Sequence, residues 1–423
     1  MKAGVASVAI TPAEPMWLAG WAARREPAAG KAMDLFAKAL ALEGPNGRHI
    51  IFLTCDLIAI TRDLAQAVEE RVCARCDLSR DSILFNASHT HCGPEVRENK
   101  APFFEIPPEF AAKIPSYVLD LEDKLVAVIE TALGRSGPVT LQYAQTSVTF
   151  ARNRRTPGGP GAHDVPVLHV LRPDKLPLAI LFGYACHNLT LPPTFCQYHG
   201  DYAGVAQHAL ENTFPTATAL FLAGAGADQD PEPRGNMEST MKNGEALAQA
   251  VGLTLKQPGR ALDGTLGVAF EEVPLDFLPP PTAEVLQAEL QSNDPPRVRK
   301  ANYLLTAREA KKTFPSSYPC PVQLIRLGNE LLLIALGGEP VVDYAIQLKA
   351  EFGGRMVWVA GYCNDMFGYL PTRRVQSEGG YEGGRALLWS ALPGPFADTV
   401  EERIIAATRR LAGRLGIPYA AAT

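Results

Sequence analysis

Short runs of aliphatic and aromatic residues recur along the chain, and each run stops abruptly at polar residues with reactive side chains. Six runs are clear, at residues 50–54, 83–85, 178–185, 219–222, 331–336 and 356–360. Runs without alternation of apolar and polar residues are typical of strands that are buried on both faces. Ligands in such folds gather at the carboxyl ends of the strands, so the polar residues after each run are the first candidates for a functional site.

Helical periodicity fills several stretches between these runs. It predicts helices at residues 64–75, 201–212, 241–255 and 396–415, with Asp201 as the N-cap of the second. Two further stretches predict strands, at residues 141–150 and 322–327. Together these elements predict an α/β fold, a mixed and largely buried β-sheet core flanked by helices, with a site at the strand ends.

Prolines mark one excursion from this pattern. Pro279, Pro280 and Pro281 follow one another, and two polar helical stretches come after them. Consecutive prolines fit neither a helix interior nor a central strand. The excursion at about 279–313 therefore predicts a helical hairpin at the surface, with a lid over the site as the alternative. Residues 1–423 as a whole are expected to form a single domain.

Composition and charge narrow the function classes. The chain has 423 residues, of which 47% are hydrophobic and 20% are charged, as in globular proteins. A net charge of -5 and an isoelectric point near 6.0 give no electrostatic attraction to nucleic acid or to an anionic membrane. No apolar run approaches the ~18 residues of a membrane span, and residues 1–7 lack the apolar core of a signal peptide. We expect a small-molecule substrate. The sequence leaves open whether the protein forms a homo-oligomer.

Cysteine usage indicates a reducing compartment. Eight cysteines in a chain of this length are too few for a disulfide scaffold, and Cys55, Cys186 and Cys363 lie within or beside apolar runs. We therefore expect free thiols and a cytoplasmic location.

Histidines stand where two of the apolar runs end. His89 and His91 belong to the stretch Ser-His-Thr-His, and side chains two apart on an extended segment share one face, so both can point at one metal ion. His187 follows another run. A zinc site needs four donors, or three protein donors and a water, so further ligands must come from elsewhere. The remaining histidines are predicted to lie in loops or at the surface: His49, His163, His169, His199 and His208.

Glu339 is the strongest carboxylate candidate. It follows six aliphatic residues and two glycines, where a carboxylate is costly to bury unless it meets a cation. The alternative is a carboxylate at the N-terminus of a helix that starts near Val341, where the helix dipole favours it. Spacing alone leaves both open. Two histidines and one carboxylate would leave a position for a water whose pKa falls to about 7 on zinc, which predicts a hydrolase.

The motif around these histidines resembles a known family. Residues 86–94 resemble the Ser-His-Thr-His-Ser-Gly-Pro motif in the N-terminal catalytic domain of the neutral, non-lysosomal ceramidases. Residues 184–187 resemble the family's Phe-Ala-Val-His, residues 200–204 its Gly-Asp-Phe-Pro-Gly, and residues 337–340 match its Gly-Glu-Pro element. Residues 361–372 resemble its Gly-Leu-Ser-Asn segment and the tyrosine beyond it. The resemblance therefore covers nearly the whole chain.

The resemblance implies a ceramidase-like catalytic domain with zinc as cofactor. With a water completing the site, the implied zinc ligands are His89, His187, Glu339 and Tyr369. His91 would lie beside these ligands or polarise the substrate carbonyl, together with Tyr381, which follows Tyr369 by twelve residues as in the family. Arg154, in an Asn-Arg element, would contact the substrate or an oxyanion, a role that suits its permanent charge.

Each of these roles has a rival. Tyr369 and Tyr381 lie in a polar, glycine-rich segment, where a tyrosine can simply cover an apolar patch. Tyrosine is also an uncommon zinc ligand, because the metal must lower a phenol pKa near ~10. His91 can itself be a ligand, as the geometry of a His-x-His pair allows.

The sequence departs from the family at one position. Asp230 stands where the family has a serine that is important for amide cleavage. A carboxylate cannot replace a hydroxyl, and it would act as general base for the water or bind an amine or hydroxyl of a different substrate. Asp228 matches the family's aspartate and would orient the loop, or else form a turn. The chain also ends where a ceramidase would begin its C-terminal β-sandwich domain, so that domain is not expected.

These features predict a zinc-dependent hydrolase that cleaves an amide (N-acyl) or ester bond of a substrate smaller or more polar than ceramide. An acidic chain without an apolar anchor is poorly suited to extract ceramide from a membrane. One alternative is an amidohydrolase-type site with both His89 and His91 as ligands, although that superfamily places His-x-His on the first barrel strand and an apparent strand at Ile50 precedes it here. The other is a non-catalytic binding protein that retains the fold.

Overall fold

The computed structural model describes residues 1–353 and 355–419. In chain order the strands are β1 (Lys2–Ala9), β2 (Phe36–Glu43), β3 (His49–Cys55), β4 (Ile83–Ala87), β5 (Gly137–Pro138), β6 (Thr140–Ser147), β7 (Ala151–Asn153), β8 (Asp164–Leu171), β9 (Pro177–Tyr184), β10 (Thr218–Ala223), β11 (Gln229–Pro231), β12 (Arg260–Ala261), β13 (Leu266–Asp276), β14 (Ser317–Leu327), β15 (Leu331–Leu336), β16 (Glu339–Pro340), β17 (Met356–Ala360) and β18 (Tyr369–Leu370). The helices are α1 (Arg62–Cys76), α2 (Ala101–Phe104), α3 (Pro108–Ala111), α4 (Ile114–Gly134), α5 (Asp201–Thr213), α6 (Met237–Thr254), α7 (Ala283–Glu289), α8 (Pro295–Glu309), α9 (Val342–Glu351), α10 (Arg373–Glu378), α11 (Gly380–Gly383) and α12 (Val400–Arg414). Short 3-10 turns cover Arg80–Ser82, Glu98–Lys100 and Arg385–Trp389.

Most strands belong to three sheets, with the orders β4-β3-β2-β1-β5, β10-β9-β8-β6-β12 and β13-β14-β15-β17. Each sheet carries one parallel pair at an edge: β3 with β4, β9 with β10, and β15 with β17. A single helix crosses between the two strands of each pair, namely α1, α5 and α9. The six apolar runs of the sequence are these six parallel strands, because parallel strands are covered on both faces and need no polar side.

The three sheets share one core. Their inner faces meet in a cluster that includes Leu40, Leu168, Leu222, Ile325 and Trp358. Their outer faces are covered by helices, α1 and α4 on the first sheet, α5 and α6 on the second, α9 and α12 on the third. The mixed α/β fold with a largely buried sheet core is therefore confirmed, and the sheets are open rather than a closed parallel barrel over the described residues.

One buried amide holds the strand ends of the three sheets together. Asn86, in β4, donates from Nδ2 to the carbonyl of Gly361 at 2.8 Å, and its Oδ1 accepts from the backbone N–H of Ala223 at 2.9 Å. These two partners lie at the ends of β17 and β10. Because a buried amide is expensive to leave unpaired, these bonds fix the three carboxyl ends side by side. The polar residues that follow the strands thus converge.

The helices compare unevenly with the predictions. α1 and α5 match closely, α6 begins four residues early and α12 four residues late. The prediction that Asp201 is an N-cap is wrong: Gly200 is the cap, and Asp201 lies in α5 with a φ of 53°. Its carboxylate instead accepts from the backbone N–H groups of Leu191 at 2.9 Å and Tyr202 at 2.6 Å.

The proline-bounded excursion contains α7 and α8, which pack on each other through Leu286, Ala301 and Leu304. α8 also lies against α2, where the rings of Tyr303 and Phe103 are 5.0 Å apart. The excursion is therefore a helical hairpin, and its action as a lid stays a prediction, as does the single domain over residues 1–423. All eight cysteines are free thiols. None of the helices described is both long and apolar enough to cross a membrane.

Candidate metal centre

His89 comes directly after β4 and is held with one ring nitrogen free. Its backbone is in the left-handed region, with a φ of 61°, and its N–H donates to the carbonyl of Leu57 at 2.9 Å. Nδ1 lies 2.7 Å from the carbonyl oxygen of Ile58. Because a carbonyl only accepts, Nδ1 must carry the proton, and Nε2 presents a lone pair. A backbone carbonyl on the far nitrogen is the arrangement typical of a metal-binding histidine.

His187 and Glu339 bring two more donor atoms to the same point. His187 follows β9, and its Nε2 lies 3.1 Å from Nε2 of His89. Glu339 lies in β16, and its Oε2 is 3.3 Å from Nε2 of His89 and 3.8 Å from Nε2 of His187. The ring of His187 is buried, and Oε2 of Glu339 is buried without a hydrogen-bond donor.

These distances fit a cation. Ligands at about 2.0–2.1 Å from a tetrahedral zinc ion lie about 3.3 Å from one another, close to the three separations observed. A buried carboxylate oxygen with no donor is costly, and so is a lone pair facing a neighbouring imidazole. One metal ion coordinated by His89, His187 and Glu339 removes both costs, so the residues present fit the metal that the sequence predicted.

Glycines shape the backbone on two sides of this centre. Gly338 precedes Glu339 with a φ of 70°, and a Cβ there would lie 2.7 Å from the carbonyl oxygen of Gly368. Gly20, with a φ of 89°, lies against His91, since a Cβ there would be 2.4 Å from Nδ1 of that ring. Neither position can take a larger side chain without moving its neighbour.

His91 lies beside the centre without a fixed partner. Its imidazole packs against those of His89 and His187, with ring centroids 5.1 and 5.5 Å away. Both of its ring nitrogens are buried and make no hydrogen bond within the described structure. The side chains of His89, His91 and His187 form a group whose donor atoms all lie within 4.8 Å of one another. His91 is therefore free to contact either a metal ion or a substrate.

Protonation states favour metal binding at these residues. Burial lowers the pKa of His91 and of His187 well below the usual range, and neighbouring positive charges lower it further, so both imidazoles are neutral. Burial raises the pKa of the Glu339 carboxyl, but the interaction with the neighbouring His89 ring and the charges of Arg154 and Arg97 outweigh burial and hold the pKa below its usual value. Neutral imidazoles and an ionised carboxylate are the forms that bind metals.

Arg154 joins several segments around the centre. Its Nη2 donates to the phenol oxygen of Tyr369 at 2.9 Å, its Nη1 to Asp230 at 3.1 Å and its Nε to Glu382 at 2.7 Å. The guanidinium also lies 5.8 Å from the ring of Tyr381. All three nitrogens of the guanidinium thus donate hydrogen bonds, and its carbon lies near the ring of Tyr381.

The two tyrosines lie on the same side of the pocket. Tyr369, in β18, pairs with Glu339 across a two-residue parallel bridge. The ring of Tyr381 is 5.4 Å from that of Tyr369 and 5.7 Å from that of Trp389, and 42% of its surface is exposed. Burial raises the pKa of Tyr369 well above its usual value and that of Tyr381 to about 12, so both phenols keep their protons at neutral pH.

The two predicted aspartates, Asp230 and Asp228, do not line the pocket. Asp230 is paired with Arg154 and with Arg234, so a guanidinium meets each of its oxygens. Asp228 is completely buried, and its Oδ1 accepts from the N–H of Val342 at 2.8 Å, at the start of α9. Burial raises the pKa of Asp228, and the backbone hydrogen bond from Val342 acts against that rise.

A pocket of about 90 Å³ opens over the centre. Such a volume holds several water-sized groups, since each needs about 15 Å³. His89, His91, His187, Glu339, Tyr369 and Tyr381 all line it. Apolar side chains line it as well, among them Phe104, Phe367, Leu387, Trp389, Leu392 and Phe396. Six of the nine predicted residues therefore line the pocket, and Arg154, Asp228 and Asp230 do not. Arg154 contacts the lining through its hydrogen bond to Tyr369.

Several site residues carried no sequence signal. Glu382 pairs with Arg154, and Arg97 pairs with Glu95 through two bonds of 2.7 and 2.8 Å beside the pocket. Arg24 is buried and donates to the carbonyl of His91 at 2.9 Å, which fixes that loop. Arg24, Arg97 and Glu95 follow no apolar run, and only the buried pairing of their charges reveals them.

One histidine prediction is wrong. His169 lies inside β8, is buried, and its Nε2 is 2.8 Å from the hydroxyl of Thr254. His199 is also buried, and its Nδ1 accepts from the N–H of Asp201 at 2.9 Å. Both were expected in loops or at the surface; His199 does lie in a loop, whereas His169 lies in a strand, and each is satisfied by a hydrogen bond inside the protein.

Comparison with known proteins identifies the fold. No protein-family sequence model matches the chain, and no curated protein matches it significantly. Similar solved structures include a ceramidase complexed with C2, with a TM-score of 0.75 and 18% identity, and the neutral ceramidase from Pseudomonas aeruginosa, with a TM-score of 0.75 and 20% identity. Each comparison covers 100% of this chain and 76% of the other. The chain therefore has the fold of neutral ceramidases, as its motifs predicted.

Proposed function

We propose that this protein is a zinc-dependent hydrolase that cleaves an amide (N-acyl) bond or an ester bond. One observation carries the proposal: Nε2 of His89, Nε2 of His187 and Oε2 of Glu339 face one another at 3.1 to 3.8 Å in a buried pocket. Two histidines and one carboxylate form a ligand set of catalytic zinc sites, which leaves a further position open. The ceramidase fold agrees with this reaction class.

The proposed ligands are His89, His187, Glu339 and Tyr369. The bound ion would supply Lewis-acid chemistry and lower the pKa of a coordinated water. The bridge between Tyr369 and Glu339 and the hydrogen bond from Arg154 to the phenol oxygen support Tyr369 as the fourth ligand. Burial raises the pKa of this phenol well above its usual value and the positive charge of Arg154 acts against that rise, so the charge of a bound metal ion would have to ionise the phenol.

The chain's own polar groups would bind and polarise the substrate. His91 has a neutral imidazole with no internal partner, so one ring N–H is available to a carbonyl oxygen over the centre. Tyr381 keeps its proton and can donate to the same oxygen. Donors fixed at the place where negative charge develops are worth about two to three orders of magnitude in rate each. The positive charge of Arg154 would further stabilise the negative charge that develops on this oxygen.

We assign Asp230 a positioning role. Its carboxylate holds Nη1 of Arg154 and meets Arg234 with its other oxygen, and it does not line the pocket. The alternatives of a general base or an amine-binding group stay predictions. We also assign Asp228 a positioning role. Its Oδ1 accepts from the N–H of Val342 at the start of α9, and its Oδ2 accepts from Nδ2 of Asn153 at 3.1 Å, so it ties these two segments together.

The substrate proposed here is an N-acyl compound or ester smaller or more polar than ceramide. The pocket supports a polar substrate, since Arg97, Lys100 and Glu382 line it beside the proposed metal ligands. A cytoplasmic location stays a prediction from cysteine usage.

Metal removal and a substrate panel test the proposal together. The purified chain is stripped of metal with a chelator, reloaded with zinc, and assayed on N-acyl amines, N-acyl amino acids, simple esters and a short-chain ceramide. We expect turnover that is lost on stripping and restored by zinc, with the smaller substrates preferred over the ceramide. Full zinc binding without turnover of any member would favour the non-catalytic binding protein instead.

The variant His91→Gln separates the two metal sites that the sequence left open. If His91 only contacts the substrate, the variant keeps its zinc and loses turnover. Loss of zinc on this substitution would favour the site in which both His89 and His91 are ligands.

A further inference from the structure

Lys100 is a cation in the wall of the pocket without a counter-charge. It ends the 3-10 turn Glu98–Lys100 and is partly buried, on the same pocket as His91 and Glu339. Its ammonium donates to the carbonyl oxygen of Trp389 at 2.9 Å. No carboxylate lies within ion-pair distance of it in the described parts of the chain. An ammonium has three N–H donors, so this single bond leaves two of them for another acceptor.

Other cations nearby are satisfied by the protein. Arg97, which also lines the pocket, is neutralised by the two bonds to Glu95. Lys300 lies outside this pocket, and its ammonium donates to two backbone carbonyls, those of Ser390 and Leu392. Lys100 therefore differs from both neighbours, because it faces the pocket and has only one backbone acceptor.

Without a counter-charge this environment disfavours the ammonium form of Lys100, and a bound anion would favour it again. Burial lowers the pKa of Lys100 to about 7, and the charge of Arg97 lowers it further, while the charges of Glu95 and Glu339 act in the opposite direction. An anion placed beside the ammonium would provide the missing counter-charge in a partly dehydrated site, where such a charge-assisted hydrogen bond is strong. The apolar side chains of Phe104, Leu387 and Trp389 line the wall beside it.

We propose that Lys100 is the binding residue for a carboxylate of the substrate, so that the substrate is an N-acyl compound bearing one carboxylate. A carboxylate fits better than a phosphate, because a single lysine matches one negative charge, whereas phosphate sites usually combine several donors. The proposal rests on the hydrolase function proposed above and specifies its substrate class. The carboxylate can belong to the amine part or to the acyl part of the substrate.

Matched substrates measure this preference. N-acetylphenylalanine carries the carboxylate on the amine part and N-succinylphenethylamine carries it on the acyl part, and N-acetylphenethylamine is the neutral reference. The readout is the ratio of kcat/KM for each acid to kcat/KM for the neutral amide. We expect one acid to be preferred by at least about tenfold, the size of one charge-assisted hydrogen bond. The acid that is preferred identifies the part of the substrate that carries the charge.

Three variants separate charge recognition from loop support. Lys100→Met should reduce the ratio to about one, mainly through KM of the acid, and Lys100→Arg should keep most of it. Lys300→Met is the matched control, because Lys300 holds the same loop from outside the pocket. It should leave the ratio unchanged. An equal ratio in the parent protein and Lys100→Met, or a loss of the ratio in Lys300→Met as well, would overturn the proposal.

Calorimetry measures the binding of N-acetylphenylalanine and N-succinylphenethylamine directly. It therefore tests the anion site even if the protein hydrolyses neither compound. If the protein turns over no substrate, binding of either acid that weakens at least about tenfold in Lys100→Met still supports the anion site. If the neutral amide is hydrolysed with zinc but neither acid shows a preference that depends on Lys100, the hydrolase function stands and the anion site is refuted.

Discussion

Arg154 donates a hydrogen bond of 2.9 Å to the phenol oxygen of Tyr369, although 215 positions separate them in the chain. The same guanidinium holds Asp230 at 3.1 Å and Glu382 at 2.7 Å. One side chain therefore links the loop after β7, the β11 segment and the segment that carries both tyrosines. It contacts both Tyr369 and Tyr381, which line the pocket over the candidate metal centre.

Asp230→Asn should loosen Arg154 without abolishing the reaction. The substitution removes the charge from the hydrogen bond to Nη1, and such bonds contribute about 1.5–3 kcal/mol, so we expect kcat to fall about tenfold with the pH profile unchanged. Arg234→Gln is the control, because it removes only the half-exposed partner of Asp230 and should have a small effect. A loss of more than about a thousandfold, with the acidic limb of the pH profile gone, would identify Asp230 as a general base instead.

Tyr381→Phe should lower kcat and leave KM nearly unchanged. The phenol, with a pKa raised to about 12 by burial, donates in our account to an oxygen that gains charge only during the reaction. We expect a fall of about 100-fold in kcat, measured on the best substrate of the panel. Tyr419→Phe is a suitable control, since that tyrosine is exposed and packs on Phe352. An unchanged kcat in Tyr381→Phe would show that the ring only covers the apolar patch.

Glu69→Gln should remove one component of the pH dependence of stability. Burial raises the pKa of the Glu69 carboxyl from 4.5 to about 7, in spite of its ion pair with Arg80. A carboxyl with a raised pKa stabilises the fold most below its unfolded pKa, and this contribution is lost as pH rises from 4.5 to about 7. The loss is about 3 kcal/mol for a shift of this size.

Urea unfolding at pH 5 and pH 8 measures the effect. Between these pH values the free energy of unfolding should fall more in the parent protein than in Glu69→Gln. Glu70→Gln, an exposed neighbour on α1, should behave like the parent. If the parent and Glu69→Gln show the same decrease, the buried carboxyl does not titrate in this range.

The sequence predicts the six parallel strands of this fold, but not the long strands β1, β2, β8 and β13. Parallel strands are apolar on both faces, so their runs stand out and end where the site begins. The helix α4 was not predicted, although Leu121, Leu125, Val128 and Ile129 follow helical spacing and are buried. Its first turn carries one proline, Pro115, but no capping side chain precedes it, so only part of the usual start signal is present.

The metal centre was predictable only in part. His89, His187 and Glu339 follow apolar runs, so their places at strand ends could be read from the pattern. Tyr369 and Tyr381 came from the family resemblance alone. Lys100 and Arg97 could not be found, because their roles arise from burial and from pairing between distant segments, which no local pattern records.

The zinc content of purified variants tests the central claim most directly. The parent protein and His208→Ala, which changes an exposed histidine on α5, should each bind about one zinc ion per chain by elemental analysis. His187→Ala and Glu339→Gln should bind little, and circular dichroism confirms in each case that the fold is kept. Full zinc content in folded His187→Ala and Glu339→Gln would contradict the assignment of His187 and Glu339 as metal ligands.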